Sequence, residues 1–376
     1  MSRVLQIGSD RSRRGILFTD TDVAKRQKAY AEQFEALDII GLSLKSDGAE
    51  PYIIDELRVY PTNSPNKLMY ALDAWHIFRH LQKPDVISVQ DPFETGILGL
   101  IFSRIARVPL HVQVHTDFLS PAFRKHSIPN RIRVYLALYV LHRAAGVRVV
   151  SERIRESLMS RCYLDIPVTV LPIFVDIAAV RNAQPDAALT EKFASFKTKL
   201  LFVGRLEPEK NPCLVIESFA KAAPTDACLI IVGDGSERAH LEELARRYDP
   251  PERPGSSGRA GISSRVFFEG LQNAAPYYKL ADLVLVTSRY EGFGAVIVEA
   301  LSAGKPVLST DVGIAKEAGA IITSSEQYSK ALTEWFRSGP HRGELMLRVD
   351  SDIRSYMFRL AGDIKACEVL SGRAFS

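Results

Sequence analysis

Two glutamates lie eight residues apart in the segment 282–306, and their surroundings suggest a ligand site. Glu299 stands among Ala, Val, Ile and Leu in a predicted helix over 295–303. A buried carboxylate without a partner is costly, so we expect Glu299 to face an opening or a polar group. The alternative is a buried helix whose glutamate forms a salt bridge.

The loop before this helix carries the other glutamate. Glu291 is followed by Gly292, Phe293 and Gly294, directly at the predicted helix start. Glycines there let a ligand approach free backbone N–H groups, and the helix dipole favours an anion at that end. We therefore predict that the two carboxylates frame an anion site.

Two cations follow another predicted strand. Arg205 and Lys210 belong to the segment GRLEPEKN, which begins at Gly204 after the apolar run 200–203. Parallel strands place such loops at one edge of a sheet, where open α/β sheets bind ligands. Arginine can bind two phosphate oxygens at once, and lysine acts as a point charge. Together these groups predict a diphosphate site, whereas the segment taken alone would be a solvated charged turn.

Alternating apolar runs and helical segments predict the elements that position these residues. They form an α/β protein with two doubly wound lobes, over 1–172 and 198–350. Residues 173–197 are predicted to be a weakly structured link. The chain is helical after residue 322, and the segment 353–376 could return to the first lobe.

The amino-acid composition is that of an ordinary globular protein. The chain has 376 residues, 46% hydrophobic and 24% charged, as in ordinary two-domain proteins. Its four cysteines show no CxxC or metal-ligand spacing, which favours a reducing cytosol and argues against structural zinc. No signal-peptide pattern or membrane-length apolar run is present. We therefore expect a cytoplasmic protein.

Positive charge is concentrated in one segment. Residues 104–161 contain 11 Lys and Arg against 3 Asp and Glu, while the whole chain has a net charge of +4. Within it, residues 124–143 mix basic, aromatic and aliphatic side chains, so they could contact an anionic membrane. The alternative is a core helix with a solvated basic face. No nucleic-acid recognition module is present, so we expect no nucleic-acid partner.

Several segments resemble one known family. They are FVGRLEPEKN, IVGDGSER, FFEGLQN and ADLVLVTSRYEGFGAVIVEALSAGKPVLSTDVG, with DPFETG, VHTDF, VVSERIRESL and LPIFVD upstream. Over residues 85–320 the chain resembles the retaining glycosyltransferases of family 4. The resemblance implies the GT-B fold, in which two Rossmann-like lobes face each other across a cleft, with a terminal helix crossing back to the first.

The implied activity is transfer of a sugar from a UDP- or GDP-sugar to a glycan or lipid-linked acceptor, in cell-envelope or polysaccharide synthesis. No convincing metal cluster is visible in the sequence, so we expect no metal and no further cofactor. In this family the departing phosphate is generally thought to deprotonate the acceptor, so no side-chain nucleophile is assigned.

The resemblance also implies residue roles. Glu291 would bind hydroxyls of the donor sugar and Glu299 those of the ribose, while the backbone of Gly292–Gly294 meets the sugar and diphosphate. Arg205 and Lys210 would neutralise the leaving diphosphate. By the same resemblance, Gly270 and Leu271 would contact the base and Gly204 would contact the donor. His115 would contact the sugar from the other side of the cleft. A capping or core role is the alternative for His115.

One loop departs from the family. Many relatives have a glycine pair in the first loop, where this chain has GSDRSRRG. We hypothesise that Arg11, Arg13 and Arg14 bind an anionic acceptor, and we add Asp91 and Asp117 as candidates for acceptor or phosphate contacts. Two other classes stay open: a sugar-nucleotide epimerase, and a non-catalytic protein that binds nucleotide sugars.

Overall fold

The computed structural model describes residues 2–9, 15–249, 261–350 and 352–371. The chain divides into two compact units. The first comprises residues 1–172 together with 352–376, and the second comprises residues 173–351.

The first unit contains one eight-stranded sheet. In the order β3-β4-β2-β1-β5-β6-β7-β8, all neighbouring strands are parallel except β3 and β4. Its central strands are mostly apolar and have no exposed residue, as expected of parallel strands covered on both faces. The strands are β1 (Arg3–Gly8), β2 (Ala36–Gly41), β3 (Tyr52–Ile54), β4 (Leu57–Pro61), β5 (Val86–Val89), β6 (Leu110–Val114), β7 (Gly146–Val149) and β8 (Val168–Val170).

Helices of the first unit begin where hydroxyl side chains can cap them. The side chains of Thr21, Ser120, Ser127 and Ser151 each accept a hydrogen bond from the first turn of a helix. The helices are α1 (Asp22–Ala31), α2 (Tyr70–Phe78), α3 (Glu94–Ala106), α4 (Pro121–His126), α5 (Ile128–Leu141), α6 (Glu152–Cys162) and α15 (Ile353–Ser371). Among the described residues, none of the helices has the length and apolar character needed to cross a membrane.

The second unit contains a six-stranded, fully parallel sheet. Its order is β11-β10-β9-β12-β13-β14, so successive strands are added on one side of β9 and then on the other. This reversal leaves a crevice between the ends of β9 and β12. The strands are β9 (Thr198–Val203), β10 (Ala227–Val232), β11 (Val266–Gly270), β12 (Leu283–Val286), β13 (Val307–Thr310) and β14 (Ile321–Thr323). The predicted α/β fold class is confirmed.

The prediction of a weakly structured link over 173–197 is wrong. Two short helices occupy it, α7 (Ile177–Asn182) and α8 (Ala187–Lys192), and Asp176 and Asp186 accept hydrogen bonds from their first turns. Burial of Ile177 and Val180 orders α7. The other helices are α9 (Pro212–Ala222), α10 (Arg238–Arg247), α11 (Ala275–Leu280), α12 (Ala295–Ser302), α13 (Ala315–Ala318) and α14 (Tyr328–Ser338). Helix α7 packs against α11 and α12.

Helix α15 completes the first unit through buried polar contacts. Arg148 on β7 is 3% exposed. Its guanidinium donates to Gln113 Oε1 at 2.7 Å, to the carbonyls of Leu171 and Pro172, and to the hydroxyl of Tyr356 on α15 at 2.8 Å. His111 Nε2 lies 2.9 Å from Asp363 Oδ2. A buried charge with satisfied donors is tolerated, so these contacts fix α15 on the sheet.

Replacing Tyr356 with Phe should destabilise the first unit by about 1–3 kcal/mol, because one buried guanidinium donor loses its acceptor. The measurement is urea unfolding followed by circular dichroism. Tyr163→Phe is the matched control, since Tyr163 is 87% exposed. Equal unfolding midpoints for the two variants would contradict this role of Tyr356.

Candidate active site

The candidate site lies at the carboxyl edge of the second sheet, where strand order reverses. The loop after β9 carries Arg205 and Lys210, and the loop after β12 carries Glu291. Hydrogen bonds to backbone carbonyls join the two loops. The Arg289 N–H donates to the Glu209 carbonyl at 2.8 Å, and the Thr287 hydroxyl donates to the Lys210 carbonyl at 2.9 Å. The fold thus places side by side two segments that are about 80 residues apart in the chain.

Lys210 and Glu291 form an ion pair across this crevice. The Lys210 ammonium donates to Glu291 Oε1, and the Ser288 hydroxyl donates to the same oxygen at 2.7 Å. Both charged side chains are mostly buried, with 23% and 16% of their surfaces exposed. The structure therefore brings together the predicted cation and the predicted carboxylate.

Arg205 lies at the outer side of the same loop. Its Nη2 donates to Glu209 Oε1 at 2.8 Å, and 68% of its side chain is exposed. The two predicted cations thus have separate carboxylate partners. An anion arriving at this edge would compete with both carboxylates, and Arg205 can turn toward it at little cost because its ion pair is exposed.

The start of α12 is shaped by two glycines. Gly294 precedes the helix with φ of +95°, a backbone conformation that other residues rarely adopt. Gly313 follows β13, and a Cβ there would lie 2.3 Å from the Phe293 carbonyl oxygen. Phe293 itself is 2% exposed, so its ring belongs to the core. A ligand would meet the backbone at 292–294 and the free N–H groups of the first turn of α12.

Glu299 has a polar partner that is not a cation. The Tyr278 hydroxyl on α11 donates to Glu299 Oε2 at 2.6 Å. Burial raises the pKa of the Glu299 carboxyl, and the hydrogen bond from Tyr278 opposes this shift. Within the described residues, Oε1 of Glu299 accepts no hydrogen bond, so this oxygen is available to a ligand hydroxyl.

The other predicted donor residues lie at the same edge of the sheet. Gly204 follows β9, and Gly270 ends β11 with φ of +69° while its carbonyl accepts from the Gly233 N–H at 2.7 Å. Leu271 is next to it and is 58% exposed. The loops at the carboxyl ends of β9, β11 and β12 therefore carry the residues predicted to bind the donor in this unit, except Glu299, which lies in α12.

His115 belongs to the first unit, directly after β6. Burial and the nearby Arg148 guanidinium lower the pKa of His115 to about 3. Its Nε2 lies 3.3 Å from Gln113 Oε1, which fits a neutral ring that donates from Nε2. The imidazole is therefore uncharged near neutral pH.

The acceptor candidates of the first unit are partly engaged in local structure. Asp91 Oδ1 accepts from the Phe93 N–H at 2.8 Å just before α3. Burial raises the pKa of Asp91 and of Asp117, and Arg153 and Arg161 oppose this shift at Asp117. Arg11, Arg13 and Arg14 lie outside the described residues.

One group of described side chains has the chemistry of a metal site. The ligand atoms of Cys213, Glu237 and His240 all lie within 4.8 Å of one another, a proximity that sequence spacing does not indicate. Burial raises the pKa of the Cys213 thiol, with smaller effects from Glu237 and Glu217. A metal would bind the thiolate form of Cys213, so its binding would have to release the thiol proton.

Three contact residues of the site were not anticipated. Ser288 and Glu209 stand three and four residues from Glu291 and Arg205, so local spacing could have indicated them. Tyr278 stands 21 residues before Glu299. Nothing in the sequence pattern indicates that contact, because it depends on how α11 lies against α12.

The state of His115 makes stability depend on pH. The folded pKa is about 3 and the ordinary value is 6.5, so the unfolded chain binds a proton first as pH falls. The resulting stability is present above pH 6.5 and is lost as pH falls toward 3. We expect His115→Asn to lose less stability between pH 7 and pH 5 than the parent chain, measured by urea midpoints. Parallel pH profiles would contradict a neutral, partly buried imidazole.

Comparison with known proteins agrees with this geometry. Residues 197–338 match the family described as Glycosyl transferases group 1, and residues 30–179 match Glycosyltransferase Family 4. The chain is 26% identical over 310 residues to an Escherichia coli UDP-Gal:alpha-D-GlcNAc-diphosphoundecaprenol alpha-1,3-galactosyltransferase, covering 76% of each chain. It is 24% identical to the amylovoran biosynthesis glycosyltransferase AmsD of Erwinia amylovora, covering 84% of this chain and 90% of that one.

Solved structures show the same fold. HepE from Anabaena in complex with UDP-glucose superposes with a TM-score of 0.68 at 19% identity, covering 100% of this chain and 99% of that chain. The two matched families together span most of both units. The chain therefore belongs to the group 1 and family 4 glycosyltransferases and is an enzyme of the GT-B fold.

Proposed function

We propose that the enzyme is a retaining glycosyltransferase that moves a sugar from a nucleoside-diphosphate sugar to a glycan or lipid-linked acceptor in cell-envelope or polysaccharide synthesis. The observation that supports this most is the pairing of Lys210 with Glu291 beside the start of α12. It puts a cation, a carboxylate and free backbone N–H groups within one crevice.

The chemistry follows from where charge develops. When the glycosyl–phosphate bond breaks, negative charge grows on the departing diphosphate. Lys210, Arg205 and the first turn of α12 are the groups of this chain that can stabilise that charge. Lys210 would leave Glu291 to reach the phosphate, and the freed carboxylate could then accept a hydrogen bond from a sugar hydroxyl. We propose that this exchange needs no metal.

The two glutamates differ in their partners and so in their proposed roles. Glu299 keeps one oxygen on Tyr278 and offers the other to the ribose hydroxyls. Glu291 would contact the transferred sugar, close to the reacting carbon. In the first unit, the proposed contact of His115 with the sugar would come from a neutral imidazole.

The relatives favour particular substrates. The Escherichia coli relative is named for UDP-Gal and a diphosphoundecaprenol acceptor, and HepE is solved with UDP-glucose. These names support a UDP-sugar over a GDP-sugar as donor, and a lipid-diphosphate-linked glycan as acceptor. We assign neither the sugar nor the linkage.

Donor turnover tests the proposal. Thermal shifts with UDP-, GDP- and ADP-sugars should identify the donor, because a ligand that binds the folded state raises the melting temperature. Product analysis should then show sugar transfer with retention of anomeric configuration. Formation of epimerised donor in the absence of acceptor would instead indicate an epimerase. Tight binding of the donor without turnover would indicate a non-catalytic binding protein.

The two glutamates should respond differently to substitution. Glu299→Gln should weaken nucleotide binding roughly 10- to 100-fold, because a charge-assisted hydrogen bond contributes about 1.5–3 kcal/mol. Glu291→Gln should lower kcat by about 10-fold or more with a smaller effect on binding of the free nucleotide. Calorimetry with the nucleoside diphosphate and steady-state kinetics separate the two effects. If both variants lost nucleotide binding equally and melted at equally lowered temperatures, residues 291–299 would have a purely structural role.

We also propose that α5 contacts an anionic membrane from the cytoplasmic face. Four exposed apolar residues share one side of this helix: Ile128, Ile132, Tyr135 and Tyr139, which are 72%, 55%, 69% and 45% exposed. Their spacing of four, three and four residues is that of a single helical face. We call them the α5 stripe. Basic side chains flank it, including Arg143, whose guanidinium lies 3.8 Å from the centre of the Tyr139 ring.

Vesicle flotation tests the membrane contact. Replacing Ile128 and Ile132 with Ser should reduce binding to phosphatidylglycerol vesicles several-fold. Each side chain that inserts fully contributes about 1.5–3 kcal/mol of binding free energy through burial, and the replacement removes this contribution. Ile53→Ser is the control, since Ile53 is 65% exposed on the edge strand β3. Unchanged flotation of the α5 variant at low salt would rule out this contact.

A further inference from the structure

A basic pocket opens on the first unit. It lies between α4 with the segment that leads into it, the α5 helix and the end of α6, and its volume is about 450 Å³. Four cationic side chains line it, with Leu119 and Tyr135 on its walls: Arg124, Lys125, Arg131 and Arg161. Among the residues whose structure is described, no acidic side chain lines this basic pocket.

The charges of the basic pocket are largely uncompensated. In the described part of the chain, Arg124, Lys125 and Arg131 have no carboxylate partner. Arg161 donates to the Leu119 carbonyl at 2.8 Å, and it is close enough to Asp117 to affect the pKa of that carboxyl.

Other arginines of the same basic segment have acidic partners. Arg133 pairs with Glu94 and Arg155 with Glu152. Three cations without a carboxylate partner thus converge in the basic pocket, and a concave site of one sign attracts a ligand of the opposite sign. Guanidinium groups bind phosphate oxygens in pairs, so a phosphate or diphosphate fits this lining.

The wall of the basic pocket continues into an apolar surface. Tyr135 lines the pocket and also belongs to the α5 stripe. Arg131 precedes Ile132 and stands one helical turn before Tyr135, so a cation of the pocket adjoins the stripe. A ligand with both a phosphate group and a hydrocarbon chain could occupy both surfaces, whereas free phosphate would use only the pocket.

We propose that the basic pocket binds the phosphate or diphosphate group of a lipid whose chain lies along the α5 stripe. The identification of this bound group as the diphosphate of the lipid-linked acceptor rests on the proposed function. The same chemistry would also accept the phosphate of a membrane phospholipid. In either case the pocket holds the headgroup by charge, while the stripe supplies apolar contact.

The test compares two variants that each remove three positive charges. The pocket variant replaces Arg124, Lys125 and Arg131 with Gln. The control variant replaces Arg79, Lys83 and Arg107 with Gln, three exposed residues of the first unit that do not line the pocket. Circular dichroism and the thermal shift with UDP-sugar should match the parent chain in both, which shows intact folding and an intact donor site.

Flotation is then measured with phosphatidylcholine vesicles that contain either a polyprenyl diphosphate or phosphatidylglycerol. The pocket variant should bind the polyprenyl diphosphate vesicles roughly tenfold more weakly or worse, and the control variant should stay within about twofold of the parent chain. Inorganic pyrophosphate should compete with polyprenyl diphosphate for the parent chain but not for the pocket variant. Equal losses in the two variants would overturn the proposal, because diffuse surface charge would then explain binding.

The two lipids distinguish the sources of phosphate. A loss confined to polyprenyl diphosphate supports the acceptor diphosphate, and an equal loss on phosphatidylglycerol supports a phospholipid headgroup. Failure of the proposed function is seen separately, as absence of sugar transfer from any nucleotide sugar. Binding of polyprenyl diphosphate through the pocket would still support the pocket in that event.

Discussion

The ion pair between Lys210 and Glu291 depends on a constraint that the whole second unit obeys. All six strands are parallel, so all their carboxyl ends lie at one edge, and the order of strands reverses between β9 and β12. The two loops leave these strands on either side of the crevice, and the Arg289–Glu209 and Thr287–Lys210 hydrogen bonds join them. Opposite charges at the two sides of that crevice attract each other when it is empty and are available to a charged ligand when it is filled. The position of α12, of Gly294 and of the Glu299–Tyr278 contact follows from the same loop.

Much of this arrangement could be predicted from the sequence, since it follows from strand order and local pattern. Buried parallel strands are continuous apolar runs, so β9 and β12 could be located, and with them the loops that hold Lys210 and Glu291. The partner of Glu299 could not be predicted, because Tyr278 reaches it only through the packing of α11 on α12. The short helices α7 and α8 could not be predicted for another reason. Each has six residues, which are too few for a periodic apolar pattern, and only the aspartates that cap them indicate a helix start.

Buried polar groups have different consequences in the two units. Around Arg148, the guanidinium donates to Gln113, Tyr356 and two backbone carbonyls, so the network serves to hold strands and α15 together. Around Glu299, one carboxylate oxygen accepts a hydrogen bond from Tyr278, and within the described residues the other oxygen accepts none. The basic pocket is a third case, in which like charges face solvent without partners. A full set of protein partners thus marks structure, and an incomplete set marks a place where binding is favourable.

The return of α15 to the first unit has a consequence for how the chain is made. Residues 173–351 are contiguous, so the second unit can fold as soon as it leaves the ribosome. The first unit is interrupted, and its Arg148 and His111 wait for Tyr356 and Asp363, which are synthesised more than 200 residues later. Until then the Arg148 guanidinium lacks its Tyr356 acceptor, and the His111 imidazole, which also contacts the Ser88 hydroxyl, lacks its Asp363 partner. The amino-terminal half of this enzyme is therefore the last part to be finished, and it is the part exposed longest to aggregation and to chaperones.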